Sequence, residues 1–354
     1  MIRALYVSRF DRDTSADGLY SDELTGALDR TGSVEVTRGP IQVADGSGLD
    51  GAGPKHLGAN LLKLAKEARA DLVHLHYEPG LFSPRAVLSI NKVARDLPPM
   101  VVTLHRVAAY HGRLKASGVR QFRAVAQEWF LARRAKLFLV HAEHSALVLR
   151  KRYPRVRCEA HPMPVPHDDC NEPRRSGGPV LYFGNHHPGK GILEFVRAMR
   201  KLPDLKAVVA GRRHPKWAKY NAQVQKALDA APNVTLEEGW TTPERKHQLF
   251  NEASAVALPY LAPGSGSLVL QESIGHRRPV VASMTQPLQS LVHELGVGLT
   301  IETRDPELFA QAIRRVAVQD PSAFAPEIER ARAANSGDGV ATRVAALYAS
   351  VLSR

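Results

Sequence analysis

The chain has 354 residues, enough for two domains of ordinary size with separate cores. With 44% hydrophobic and 23% charged residues it reads as globular, and no apolar run approaches the roughly 18 to 20 residues of a membrane span. The net charge of +13 is concentrated between Arg106 and Arg157, where 13 Lys or Arg face two acids, Glu128 and Glu143. Such a run is a solvated helix face or the footprint of an anionic partner: lipid headgroups, a phosphorylated acceptor or nucleic acid. The opening MIRALYVSRFDRD is too short and polar for a signal peptide, and Cys158 and Cys170 form neither a disulfide framework nor a metal pattern. A reduced cytoplasmic compartment is the expectation.

Along the chain, IRALYVS, DLVHLHY, MVVTLH and KLFLVHA predict buried parallel strands. Between them SDELTGALDR, KHLGANLLKLAKEA and VRQFRAVAQEWFLARRA carry helical periodicity. A proline- and glycine-rich linker, HPMPVPHDDCNEPRRSGGP, interrupts the alternation. It restarts with VLYFGN, GILEFVRAMRKL, LKAVVAG, WAKYNAQVQKALDA, VTLEEGW, PERKHQLFNEA and AVALPY, and ends in the helical GVATRVAALYASVLSR. The pattern predicts an α/β chain of two doubly wound domains: residues 1–165, a linker at 166–178, residues 179–336, and a C-terminal helix at 337–354 packing back on the first domain. Ligands of such sheets bind outside the C-terminal strand ends, so the motifs belong in the strand-to-helix loops.

Four loops fit that placement. PYLAPGSGSLVLQESIGHRRPVVAS (259–283) sets Gly264, Ser265, Gly266 and Ser267 before a helix, offering backbone N–H groups and a positive helix end to an anion. Glu272 on that helix is a carboxylate able to accept both hydroxyls of a ribose, or a solvent-facing helical acid. FGNHHPGKG (183–191) places Lys190 where an incoming diphosphate would supply charge, and VVAGRRH (208–214) places Arg212 and Arg213 at the same edge; each also reads as an exposed cation in a turn. In the first half, His105 ends a strand, and Gly18 in TSADGLY would let backbone approach a ligand, whereas His74 and His76 share a face and read as core histidines. The D-x-D pair Asp11 and Asp13 has no supporting ligand, His141 and His144 lack a third, and the dinucleotide and P-loop fingerprints do not occur.

In order and spacing these segments resemble the retaining glycosyltransferases of family 4, over nearly the whole chain. DLVHLHYEPGLF and VVTLHRV are similar to that family's N-domain strands. VLYFGNHHPGKGILEFVRAM is similar to its "GR…KG" loop, and VALPYLAPGSGSLVLQESIGHRRPVVAS to the region of its paired-glutamate motif. The resemblance implies the GT-B fold, two Rossmann-like doubly wound domains facing across a cleft. It implies a nucleoside-diphosphate sugar as donor substrate, no cofactor and no metal. Carried over, Lys190, Asn185, Arg212 and the Ser265, Gly266, Ser267 and Leu268 amides hold the diphosphate, Gly18 approaches it from across the cleft, and Glu272 takes the ribose. His105 contacts the transferred sugar, with Lys190 the second catalytic residue. Two positions depart from the pattern: Asn185 stands for an arginine and Gly264 for the first glutamate.

The expected function is sugar transfer from a nucleoside diphosphate to a hydroxyl acceptor with retention. GRLKASGVRQFRAVAQEWFLARRAK sets Val119, Phe122, Ala126 and Trp129 at helical spacing among Arg113, Lys115, Arg120, Arg123, Arg133 and Arg134. A basic amphipathic helix of this kind suits an anionic membrane surface, at the inner face of the membrane beside a lipid-linked acceptor or glycan precursor. The alternatives are a DNA-base glycosyltransferase using the same charge on nucleic acid, and a non-catalytic sugar-nucleotide-binding protein.

Overall fold

The structure is a computed structural model and describes residues 1–11, 16–41, 53, 55–78, 82–107, 118–166, 177–262, 264 and 266–353. The chain forms two compact units, Met1–Pro164 with Asn335–Arg354, and Val165–Ala334. The first unit carries strands β1 (Ile2–Ser8), β2 (Val34–Pro40), β3 (Leu72–Tyr77), β4 (Met100–Leu104), β5 (Ala135–Val140) and β6 (Arg157–Ala160). Its helices are α1 (Ala16–Arg30), α2 (Leu57–Glu67), α3 (Pro84–Val93), α4 (Gly118–Ala132) and α5 (Glu143–Arg152). The strands form one sheet in the order β2-β1-β3-β4-β5-β6, every pair parallel. Leu72–Tyr77 and Met100–Leu104 are buried at every position, which is why they read as unbroken apolar runs rather than as alternation.

The second unit carries β7 (Val180–Phe183), β8 (Ala207–Gly211), β9 (Val234–Glu238), β10 (Ala255–Leu258), β11 (Val280–Ser283) and β12 (Gly298–Ile301). Its helices are α6 (Ile192–Met199), α7 (Ala218–Asp229), α8 (Pro243–Glu252), α9 (Leu268–Gly275), α10 (Leu288–Leu295), α11 (Pro306–Val318) and α12 (Ala325–Ala334). Here the order is β12-β11-β10-β7-β8-β9, again parallel throughout. Several helix starts were written into the sequence. Ser83-Pro84, Thr242-Pro243 and Asp305-Pro306 each place a capping oxygen before a proline, and each cap accepts a backbone N–H from the first turn.

The last helix, α13 (Gly337–Leu352), belongs to the first unit. It packs against α1, where Arg30 pairs with Asp338 at 2.9 Å. Its Tyr348 hydroxyl reaches His74 at 2.5 Å in the core, and Arg157 donates to Ser350 at 2.6 Å.

Each sheet has one place where the strand order reverses and two neighbouring connections diverge, leaving a crevice at the strands' C-terminal ends. In the first unit it lies between β1 and β3, and in the second between β7 and β10. The sequence-derived site residues distribute around these two points.

Candidate functional site

At the second unit's reversal point the loops after β7 and β10 are knitted together. The Leu261 N–H donates to the Gly189 carbonyl at 2.9 Å. Gly191 sits at φ +68°, and a Cβ there would lie 1.8 Å from the Pro259 carbonyl oxygen, so only glycine lets the loops approach this closely. Lys190 ends a single 3₁₀ turn, Pro188–Lys190, and Gly191 separates it from α6. Its ammonium lies 3.8 Å from the centroid of the Tyr260 ring, and the Tyr260 hydroxyl is 3.1 Å from Ser267 Oγ. Ser267 caps α9 by accepting from the Leu270 N–H at 3.3 Å. A cation held over an aromatic face thus stands beside a capped helix N-terminus, an arrangement suited to an anion.

Glu272 is buried on α9, and Lys246 of α8 pairs with its Oε1; Oε2 has no hydrogen-bond partner among the described residues and lies 3.8 Å from His276. Lys246 was not singled out from sequence, because nothing local to it announces a partner 26 positions away. A chain of imidazoles supports the same helix. His276 Nδ1–H donates to the Glu272 carbonyl at 2.8 Å, which leaves its Nε2 as acceptor for His247 at 3.0 Å, and Asn251 donates to His247 Nε2 at 2.9 Å. Of the other residues these loops bring to the strand ends, Arg213 is engaged by Glu238 at 3.1 Å and by Gln225, whereas the cation Arg212 and the neutral Asn185 are exposed. His186 is fully buried, with its imidazole pushed below its ordinary range by burial and then by Arg213. His187 caps the 3₁₀ turn, accepting from the Gly189 N–H at 2.9 Å. Ser265 lies outside the described residues.

In the first unit the C-terminal strand ends carry a row of buried imidazoles. His74 and His76 come from β3, His105 follows β4, His141 follows β5, and His161 follows β6. His76 and His105 stack with centroids 4.0 Å apart, and His141 lies 4.6 Å beyond His105. One carbonyl sets the tautomers. The His161 carbonyl can only accept, so His141 donates from Nδ1 at 3.4 Å, and its Nε2 accepts from His105 Nδ1 at 3.2 Å. His105 Nε2 is therefore a lone pair, buried and without a partner among the described residues. Burial drives His76, His105, His141 and His161 well below the ordinary imidazole range, and it takes His74 down to about 3.

Gly18 is in the first turns of α1, and the structure supplies a packing reason for it: a Cβ would lie 2.5 Å from the Asp11 carbonyl oxygen. Its neighbour Asp17, overlooked in the sequence, is the residue brought to His76 and His105, with one ligand-capable atom from each lying within 4.8 Å of the others. Glu78, at the end of β3, is raised to about 6 by burial, with Arg106 opposing that shift.

The basic segment divides. Arg113 and Lys115 lie outside the described residues, as does the side chain of Arg120, while Arg123 is exposed. Arg133 stacks over Trp129 at 4.7 Å, and Arg134 donates to Asn91 at 2.9 Å. The predicted apolar stripe of α4 faces outward in part: Phe122 is 74% and Trp129 43% exposed, while Gln127, Glu128 and Leu131 are buried. Beside it Lys55, Arg85, Lys92, Arg133, Leu88 and Trp129 line part of an open cavity of about 710 Å³. No described helix is long and apolar enough to cross a membrane.

Residues 178–319 match the family described as glycosyl transferases group 1. Comparison with curated protein sequences gives no match. Among solved structures, sucrose-phosphate synthase from Thermosynechococcus elongatus superposes with a TM-score of 0.76 at 17% identity, covering 100% of both chains. Anabaena HepE in complex with UDP and glucose gives 0.70 at 16% identity, covering 99% of this chain and 100% of its own. WaaG, a glycosyltransferase involved in lipopolysaccharide biosynthesis, gives 0.67 at 16%, covering 98% and 99%. The chain thus has the GT-B fold, and its second unit carries the match to the glycosyl transferases group 1 family.

Proposed function

We propose that this protein is a retaining glycosyltransferase of family 4 that moves a sugar from a nucleoside diphosphate to a hydroxyl acceptor. The observation that carries the reading is the convergence of Lys190, Tyr260, Ser267 and the α9 N-terminus at the second unit's reversal point, inside the family-matched segment. Anabaena HepE, which shares the fold, is described in complex with UDP and with UDP-glucose, which supports a nucleotide-sugar donor. In this reading Lys190, Arg212 and the 266–268 amides carry the charge of the departing diphosphate with no metal ion on it, Glu272 Oε2 accepts from the ribose, and Asn185 borders the phosphates. Each such donor aimed at developing charge is worth about 10²–10³ in rate. In the first unit His105 Nε2, held as a lone pair, is assigned to a hydroxyl of the transferred sugar, and the Gly18 turn to the diphosphate. Retention places attack on the face the diphosphate leaves, so charge stabilisation rather than a nucleophile–base pair is the main work.

For the acceptor, the exposed Phe122, Trp129 and Leu88 among Arg85, Lys92, Arg123 and Arg133 favour a lipid interface over a nucleic-acid backbone, since a polyanion alone gives no use for exposed apolar side chains. The acceptor is accordingly lipid-linked and anionic, and the protein works peripherally at the inner face of the membrane. A panel of nucleoside diphosphate sugars tests the donor: thermal stabilisation and slow donor hydrolysis detected by mass spectrometry are expected, and no response to any nucleotide overturns the reading. Hydrolysis absent despite binding identifies a sugar-nucleotide-binding protein, the outcome that Gly264 in place of an acid would then explain. Binding to duplex DNA with a steep salt slope, and none to anionic liposomes, replaces the lipid acceptor with nucleic acid.

A further inference from the structure

Asp17, His76 and His105 lie on three separate elements, α1, β3 and the end of β4, and converge at the first unit's reversal point with their ligand-capable atoms within 4.8 Å of one another. From this geometry we propose that the first unit holds a site for one divalent transition-metal ion, ligated by His76 Nε2, His105 Nε2 and the Asp17 carboxylate. Two imidazoles and one carboxylate with positions left open is a donor set suited to zinc, cobalt or ferrous iron.

Two further observations point to a ligand. The Nε2 atoms of His76 and His105 are both buried without a hydrogen-bond partner among the described residues, the two side chains being 0% and 6% exposed. Each ring is meanwhile fixed through its other nitrogen. His76 Nδ1 is 2.6 Å from Ser21 Oγ, which is in turn 2.6 Å from Ser8 Oγ, and His105 Nδ1 donates to His141. A metal-ligating histidine is held in this way, with Nδ1 on an outer partner so that Nε2 presents its lone pair. Burial keeps both imidazoles neutral, the form a metal requires. Charge around the site is mixed: Glu78 adds a second carboxylate to Asp17, and Arg9 and Arg106 are the cations whose fields reach Asp17.

The site does not depend on the donor reading, but the two meet at one atom. His105 Nε2 cannot ligate a metal and contact a sugar at the same moment, so metal bound here inhibits transfer, a control distinct from the charge neutralisation at Lys190.

Chelator-treated, untagged full-length protein titrated with Co²⁺ tests the proposal directly. One equivalent should develop visible d–d absorption, and Zn²⁺ should displace it. His76→Ala and His105→Ala should each weaken binding at least 100-fold, and Asp17→Asn about tenfold or more. Ser21→Ala leaves all three ligands in place and should lower affinity by about 10- to 100-fold through loss of the outer hydrogen bond. Circular dichroism and melting of each metal-free variant separate lost ligation from lost fold. Absence of a cobalt band in the wild-type protein, or unchanged affinity in a folded His76→Ala/His105→Ala double variant, overturns the proposal whatever the transferase assays show.

Discussion

Acidification should unfold the first unit at a pH where most carboxylates remain ionised, and the row of histidines sets how steeply. His74, His76, His105, His141 and His161 are buried and held neutral, all with imidazoles far below their ordinary range. A base whose folded pKa is depressed leaves the unfolded chain binding more protons, so stability falls as pH drops below the unfolded pKa of about 6.5. Between pH 7 and pH 5 each imidazole that stays neutral in the fold costs stability on the order of 2 kcal/mol, and the five act in the same direction. Glu78 opposes this: its raised folded pKa of about 6 makes the folded state bind the extra proton, returning about 1 kcal/mol over the same range. The net loss is several kcal/mol, of the same order as the whole stability of an ordinary domain, about 5–15 kcal/mol. Urea denaturation of chelator-treated protein at pH 7, 6 and 5, followed by circular dichroism, should show the first unit's transition moving to near zero denaturant by pH 5. Replacing His74 with Asn should reduce the slope by about 1.4 kcal/mol per pH unit, the share of one proton. A change below about 2 kcal/mol across that range would refute the argument, because imidazoles that accept protons in the folded state were never held neutral by burial.

Three other substitutions follow from the geometry. Glu78→Gln should stabilise the protein by about 2 kcal/mol at pH 8 and by nothing below pH 4.5, because the depressed acidity of Glu78 penalises only its ionised form; equal effects at both pH values would deny the burial. Gly191→Ala should destabilise the second unit by at least about 2 kcal/mol, from the left-handed backbone and the overlap with the Pro259 carbonyl, and should weaken nucleotide binding; a neutral result in denaturant melts counts against the knitted loops. Lys246→Met, which strands the buried Glu272 carboxylate, should cost about 3–5 kcal/mol in urea denaturation, while Lys246→Met/Glu272→Gln should recover most of it. A double variant no more stable than the single would show that the pair is not the source.

The central strands were legible because a parallel strand covered on both faces is a short unbroken apolar run; the edge strands β2, β6 and β12, only partly buried, give no such run and went unread. Reading failed where the deciding partner was remote. Phe122 and Trp129 of the predicted α4 stripe are exposed; what the sequence did not show is that buried positions of α4 go to Gln127, which donates to the Phe82 carbonyl at 2.8 Å, and to Glu128, which pairs with Arg152 at 2.5 Å. Polar side chains with partners 24 and 45 positions away can be buried without penalty, and no window on the sequence contains both ends. The same limit hid Lys246 from Glu272. In the first unit it hid Asp17 from His76 and His105. Lys190, Tyr260 and the α9 cap were partly legible, because their loops follow two strands adjacent at the reversal point.

The two reversal points solve different physical problems. At the second, the cation at Lys190 already has an aromatic face and the helix end is capped by Ser267, so an arriving anion meets groups that already have partners, and Glu272 Oε2 is a buried acceptor left open beside them. At the first, His76 Nε2, His105 Nε2 and the Tyr20 hydroxyl are buried and unsatisfied among the described residues. Each such group destabilises the fold by about 1–3 kcal/mol, and apolar side chains of similar volume would pack there without that penalty. The imidazoles are tolerated because two of them share one direction of demand: whatever occupies that point and engages both Nε2 atoms recovers about 2–6 kcal/mol that the empty fold forgoes. Ligand affinity at the first unit and its acid lability are therefore two expressions of the same buried lone pairs, and a substitution that cures one weakens the other.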